Sequence, residues 1–134
     1  MTFGAETEFL TLCLASDELG RRYLSRATDD QFSSELTLSA RNHLVAHFDD
    51  PLVGLSEDDV ELGGLVNDLV HAAQGRAAQA ESKLRMSILQ LEERRIKREI
   101  RSAPHKGEHA RQSELAKALQ RVRTELDQVM GQTA

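Results

Sequence analysis

The segment from Arg76 to Ser102 contains neither proline nor glycine and is dense in charged residues. Because these two residues most often break regular structure, the segment predicts one helix of about 27 residues, or about 40 Å. Apolar residues recur within it three or four positions apart, and most residues between them are charged. They are Ile88, Leu91 (or Leu89), Ile96 and Ile100. This pattern is typical of a helix with one apolar face, which another element must cover.

A second amphipathic segment follows the turn signals Pro104 and Gly107. Between Glu108 and about Met130, five apolar residues are spaced 4, 3, 4 and 3 positions apart, as in a heptad repeat. These are Leu115, Leu119, Val122, Leu126 and Val129. A short turn between two long helices makes them antiparallel neighbours. We therefore predict a C-terminal helical hairpin in which Leu89, Ile96 and Ile100 face the first three of these residues.

Residues 1–75 predict several shorter helices that form a globular subdomain, with Phe32 as a core anchor. Capping patterns occur at Ser16, at Thr28 with Gln31, at Ser34 and at Ser56–Asp59. The pair Gly63-Gly64 is expected to permit a close helix crossing. The predicted fold is all-α, with a small helical bundle (1–75) followed by the long helix and hairpin (76–134), which can swing at Gln74-Gly75.

Composition agrees with a helical protein of the cytoplasm. Hydrophobic residues make up 40% of the chain but aromatic residues only 4%, which favours helices rich in Leu, Ala and Val. The single cysteine, Cys13, excludes an internal disulfide and suits a reducing compartment. No apolar run approaches the roughly 20 residues that span a bilayer, and the first ten residues lack the pattern of a signal peptide. We predict a cytoplasmic protein without membrane contact.

Charge is distributed unevenly along the chain. Residues 1–75 carry 14 acidic and 4 basic side chains, whereas residues 76–134 carry 8 and 13. The second part could therefore attract an acidic partner, although charged surface helices are also common without any partner.

Motifs of catalysis and cofactor binding are missing. His43 and His47 have a spacing that can share a zinc ion, but Leu44 occupies the position of the glutamate in metalloproteases. No phosphate-binding glycine loop or nucleophile elbow occurs, and one cysteine cannot supply a cysteine-rich zinc site. We predict no enzymatic activity, no catalytic or metal site and no cofactor.

The densest basic run, RRIKREIR at 94–101, raises the question of whether the chain binds nucleic acid. Three glutamates, Glu92, Glu93 and Glu99, lie in or beside this run, and pairs such as Glu93 with Lys97 can stabilise a solvated helix. Aromatic residues for base stacking are absent from it. Direct nucleic-acid binding is therefore the less favoured interpretation.

The order of these elements resembles a known family. The segments FLTLCLA, FSSELTLSARNHLVAHF, DPLVGLSEDDVELGGLVNDLV, LRMSILQLEERRIKREI and ELAKALQRVRTELDQVM are similar to the C-terminal region of bacterial DNA primase of the DnaG type. The resemblance covers nearly the whole chain and is closest to actinobacterial versions. It implies a non-catalytic module that binds the replicative helicase and couples priming to unwinding. The zinc-binding module and catalytic core of primase have no counterpart here, so a longer natural polypeptide is expected.

The resemblance also implies the partners. The N-terminal domain of the replicative helicase (DnaB) is expected to contact the hairpin, and the acidic tail of single-strand-binding protein is a second possible partner. On the second hairpin helix we select basic and apolar residues as candidate partner contacts: Arg111, Lys117, Leu119, Arg121, Val122 and Arg123. Two alternatives stay open. The apolar seam could be fully buried between the two hairpin helices, with nothing left for a partner. Alternatively, the chain could be a self-associating helical protein, for example a homodimer that exchanges hairpins.

Overall fold

The computed structural model describes residues 4–102 and 109–133. Within these ranges every regular element is helical, which confirms the all-α prediction. One turn of 3-10 helix, Asp29–Gln31, separates the second and third α-helices. The α-helices of the described ranges are α1 (Gly4–Ala15), α2 (Asp17–Arg26), α3 (Glu35–Ala46), α4 (Val60–Gln74), α5 (Glu81–Ser102) and α6 (His109–Thr133).

Helix α1 lies at the centre of the globular part, in contact with α2, α3, α4 and α5. Phe9, Leu10 and Cys13 are fully buried on it, and the predicted anchor Phe32 is buried against the same cluster. The remaining large members of this cluster come from all the surrounding helices: Tyr23, Leu24, Leu44, Val66, Leu69, Leu84 and Leu91.

Three of the predicted capping residues act as expected. The Ser34 hydroxyl accepts a hydrogen bond from the backbone N–H of Thr37 at 3.1 Å, and this bond caps α3. Asp59 caps α4 by accepting from the N–H of Leu62. At the 3-10 turn, the N–H of Thr28 donates to Gln31 Oε1 at 3.0 Å. These bonds satisfy backbone groups that a helix start leaves without a partner.

Ser16 does not cap α2 through its side chain, contrary to the sequence prediction. Its hydroxyl donates to the carbonyl of Leu12 at 2.6 Å and accepts from the backbone N–H of Gln79 at 3.1 Å. The next residue, Asp17, has a φ of 52°, so α2 turns away sharply from α1. Ser16 therefore joins α1 to the segment that precedes α5.

Helix α5 begins at Glu81, although the sequence predicted a start at Arg76. Residues 77–80 have no regular structure. The Arg76 guanidinium pairs with Glu8 on α1 at 3.1 Å, and Gln79 is held by Ser16. These tertiary bonds fix the connection in a non-helical path, although residues 77–80 (Ala-Ala-Gln-Ala) are good helix formers, because tertiary contacts can override helix propensity.

Helix α5 belongs to both hydrophobic clusters of the described chain. Leu84 and Leu91 are fully buried in the globular cluster, whereas Ile96 is fully buried against α6. The change from one packing environment to the other therefore lies within α5 and not at residue 75. A swing at Gln74-Gly75 would have to withdraw Leu84 and Leu91 from the core.

The closest approach at a glycine occurs at Gly20 and not at the predicted pair in α4. A Cβ atom at Gly20 would lie 1.8 Å from the carbonyl oxygen of Cys13, so α1 and α2 can meet only over a glycine. At Gly63 and Gly64 no heavy atom lies within 4 Å of an added Cβ atom. The expectation of a close crossing there is wrong.

Candidate interaction surface

Helices α5 and α6 form an antiparallel hairpin, in agreement with the sequence prediction. The beginning of α6 lies beside the end of α5, where Arg111 pairs with Glu99 at 3.2 Å. At the other end, Glu125 of α6 lies 3.4 Å from Arg85 of α5. Helix α6 packs chiefly on α5, whereas α5 also contacts α1, α2 and the 3-10 turn.

The seam of the hairpin consists of apolar residues at heptad spacing. Ile96 of α5 is fully buried there, and Leu115, Val122 and Leu126 of α6 each keep 8% exposure. Leu89, Ile100 and Leu119 pack at its margins and are partly buried. The expected facing of these residues is thus present in the structure. The seam covers one stripe of α6, and the rest of that helix is mainly polar or charged, with Met130 as an exposed apolar residue.

The six candidate partner contacts fall into three groups. Val122 and Leu119 lie in or beside the seam, and they are available to a partner only to the extent that the seam leaves them exposed. Arg111 and Arg123 are exposed but form ion pairs with Glu99 and Glu93 of α5. The last two, Lys117 and Arg121, are exposed and have no ion pair within the described ranges. Their role in binding stays a prediction.

An ionic network on α5 stiffens the end of the hairpin next to the globular part. Arg95 donates hydrogen bonds to Glu92 at 2.7 Å and to Glu99 at 2.6 Å. The Gln31 side chain of the 3-10 turn donates to the same Glu92 carboxylate at 3.2 Å. Hydrogen bonds from Arg95 lower the pKa of Glu92, and that from Gln31 adds to this effect, although partial burial opposes it. Glu92 therefore links the globular part to the hairpin as a carboxylate.

A cleft of about 690 Å³, which we call the cationic cleft, lies between α5 and the start of α3. Ser33 and Ser34 lie on the α3 side, and the carboxylates of Glu6 and Glu93 also line it. Four cations of α5 complete its lining: Arg94, Lys97, Arg98 and Arg101.

The histidine pair does not have the geometry of a metal site. The rings of His43 and His47 stack with their centroids 4.6 Å apart, and His43 Nε2 lies 2.7 Å from the carbonyl oxygen of Pro51. In the part of the chain that the structure describes, no group of three or more potential ligands among His, Cys, Asp and Glu comes together. Cys13 is fully buried, and this burial raises the pKa of its thiol. A buried neutral thiol is a poor nucleophile.

The helices of residues 4–102 and 109–133 contain no segment that is long and apolar enough to cross a bilayer.

Comparison with known proteins adds no family assignment, since no family model, curated protein or solved structure matches the chain.

Sequence reasoning missed the cationic cleft as a feature. The basic run was visible, but its charges alternate with those of glutamates along the chain. Ser33 and Ser34 lie about sixty residues earlier, and nothing local connects them with the run. The signal that could have found the cleft is the helical spacing of Arg94, Arg98 and Arg101, which places them on one side of α5.

Proposed function

We propose that this chain is a protein-interaction module of the replication machinery, the helicase-binding region of a DnaG-type primase. The observation that carries the proposal is the antiparallel hairpin, whose second helix packs chiefly on α5 and directs its remaining surface to solvent. A helix that is held by one neighbour along one stripe can add to a helical bundle of a partner without unfolding. The order of sequence segments that resembles primase supplies the identity of that partner.

Binding would use the exposed side of α6. Lys117 and Arg121 are one turn apart and free of ion pairs in the described chain, so they can meet carboxylates of the helicase N-terminal domain. Arg111 and Arg123 can exchange their glutamates on α5 for groups of the partner. Rim charges of this kind act mainly on the association rate and on its salt dependence.

The direct test is binding of the purified chain to the N-terminal domain of the replicative helicase from the same organism, measured by isothermal titration calorimetry. We expect a complex that deletion of residues 104–134 abolishes. Because this deletion also uncovers Ile96 and Ile100, a double variant, Lys117→Glu/Arg121→Glu, provides the cleaner measurement. It should weaken binding about tenfold or more, since like charges then oppose each other at the contact.

A matched control reverses two exposed cations elsewhere, in Arg22→Glu/Lys83→Glu, and should bind within about twofold of the parent chain, as expected for charges outside the contact. Absence of any complex at tens of micromolar would argue against the helicase as partner.

Light scattering of the chain alone tests the self-association alternative. A stable dimer whose hairpins bind each other, with no helicase binding, would favour that alternative.

The resemblance adds the acidic tail of single-strand-binding protein as a second partner. Its binding can be measured with the tail peptide under the same conditions.

A further inference from the structure

The cationic cleft separates charges that alternate along the sequence. Arg94, Arg98 and Arg101 line it, and none of them has a carboxylate within ion-pair distance in residues 4–102 and 109–133. Arg98 is positioned by a hydrogen bond from its Nη2 to the carbonyl of Asp30 at 2.9 Å. The fourth cation, Lys97, lies 3.9 Å from Glu93. The cleft therefore collects four cations against the two carboxylates of Glu6 and Glu93, and three of the four cations have no carboxylate partner in the described residues.

Two of the three glutamates in or beside the basic run, Glu92 and Glu99, do not line the cleft. Glu92 and Glu99 both accept hydrogen bonds from Arg95, which does not line the cleft. Glu93 forms an ion pair with Arg123 of α6 at 3.2 Å. Glu93 stays in the lining, between Lys97 and Arg123, so two of the three negative charges that accompany the basic run in the sequence lie outside the cleft.

The carboxylate of Glu6 does not cancel this charge through a direct ion pair. Glu6 is only 2% exposed and accepts three hydrogen bonds from neutral donors. These are the backbone N–H of Ser33 at 2.9 Å, the hydroxyl of Ser33 at 2.6 Å and the hydroxyl of Thr37 at 2.6 Å. Its oxygens therefore face α3 and its cap, and the cations remain available to a ligand.

We propose that the cationic cleft binds consecutive phosphates of a single-stranded nucleic acid, without reading its sequence. Arg94, Lys97, Arg98 and Arg101 follow one stripe of α5, and the rise over these positions is about 10 Å, enough to reach more than one phosphate. Guanidinium groups match phosphate oxygens with paired donors. The lining holds no aromatic side chain, so bases are not stacked and binding is electrostatic.

An acidic peptide is the rival ligand, and the lining disfavours it. None of the eight residues around the cleft is apolar, so a peptide would find charge but no pocket for an anchoring side chain. A sugar-phosphate backbone needs no such pocket. This inference is independent of the proposed helicase contact, which uses α6.

The experiment measures fluorescence anisotropy of a labelled ten-residue oligothymidylate titrated with the full chain at several salt concentrations. The test variant is Arg94→Gln/Arg101→Gln, which keeps side-chain length and helix propensity. The control variant is Arg22→Gln/Lys83→Gln, which removes the same charge from two exposed positions outside the cleft. Circular dichroism melts of all three proteins establish that they are equally folded.

We expect the cleft variant to bind at least about fivefold more weakly at low salt, and the slope of log K against log salt to fall by about 1.4 as two phosphate contacts are lost. The control should change both quantities much less. Equal losses in the two variants, or no anisotropy change for the parent chain at about 50 mM salt, would overturn the inference.

A labelled peptide of ten acidic residues is the second probe. If it binds as tightly as the oligonucleotide with the same dependence on Arg94 and Arg101, the ligand is an acidic peptide and the assignment to nucleic acid is wrong.

Discussion

The globular part and the hairpin bury their apolar residues in different ways. In the globular part α1 is surrounded by four other helices, and residues such as Leu10 and Leu24 have no exposed surface. In the hairpin two helices share one seam, in which Ile96 is fully buried. The three buried α6 residues of its cluster, however, each keep 8% exposure: Leu115, Val122 and Leu126. A closed core is sealed from all sides, whereas a seam between two helices stays open along its margins.

Because of this difference, the hairpin depends on the globular part for its stability. Two helices alone bury too little surface to be stable in isolation, so the hairpin depends on α5 being anchored in the globular cluster by Leu84 and Leu91. In return, the open arrangement leaves α6 available to other molecules. Four predictions test whether the two regions differ in this way.

The largest effect is expected when the same truncation is made in each region. Leu24→Ala should destabilise the chain by about 3–4 kcal/mol, because a closed core cannot collapse around the cavity, and Leu126→Ala by about 2 kcal/mol, because the partly open seam can relax. Urea unfolding followed by circular dichroism provides both values. Equal losses would show that the seam is packed as tightly as the core.

A second pair of variants adds one methyl group to a glycine. Gly20→Ala should destabilise by about 2–3 kcal/mol, because the new Cβ atom collides with the backbone of Cys13. Gly64→Ala meets open space on α4 and should stabilise by about 0.5–1 kcal/mol, since alanine is the better helix former. Thermal melts of the two variants should move in opposite directions. A shift of the same sign in both would contradict the close approach of α1 and α2.

The buried carboxylate of Glu6 holds α3 against α1 within the globular part. In Glu6→Gln one of the two oxygens is replaced by a donor that faces the donors of Ser33 and Thr37. We expect a loss of about 1–3 kcal/mol in the free energy of unfolding. Glu57→Gln removes a charge from an exposed loop position and should have no measurable effect.

The smallest effect concerns Glu92, where the two regions meet. Its pKa in the folded chain lies below the ordinary value of 4.5, chiefly because of the hydrogen bonds from Arg95. The carboxylate therefore stabilises the fold above about pH 4.5, and this contribution is lost as the pH falls through the lowered pKa. Glu92→Gln should be less stable than the parent chain at pH 7, and the difference should shrink towards pH 3.

Glu114→Gln, at an exposed position of α6, is the control for this measurement. It should follow the pH dependence of the parent chain. A difference between Glu92→Gln and the parent that grows on acidification would mean that the sign of the effect is wrong.

Local patterns were sufficient to predict much of the fold. The heptad spacing of Leu115, Val122 and Leu126 predicted both the existence of α6 and its partner, because a strict apolar stripe can be buried only along a second helix. The cap at Ser34 was predicted for a similar reason, since a cap depends on residues three positions apart. For α4 the pattern Ser56–Asp59 indicated the helix start, although the cap is its last residue, Asp59. The start of α5 was missed because the bonds of Arg76 and Gln79 reach residues more than sixty positions earlier.

The interaction surfaces were less accessible to sequence reasoning. The sequence indicated the cations of α6, but not that Arg111 and Arg123 would pair with glutamates of α5. The predicted intrahelical pair of Glu93 with Lys97 is present at 3.9 Å, but the sequence did not show that Arg94, Arg98 and Arg101 would lie together without a carboxylate partner. Which carboxylate serves which guanidinium is decided by how three helices meet, and no short pattern records that arrangement.

The position of α5 in two clusters has a mechanical consequence. Leu91 and Ile96 are five residues apart on one rod of 22 residues, yet they belong to different apolar clusters. A force applied to α6 would therefore be transmitted to α1 along α5, because this one continuous helix contacts both.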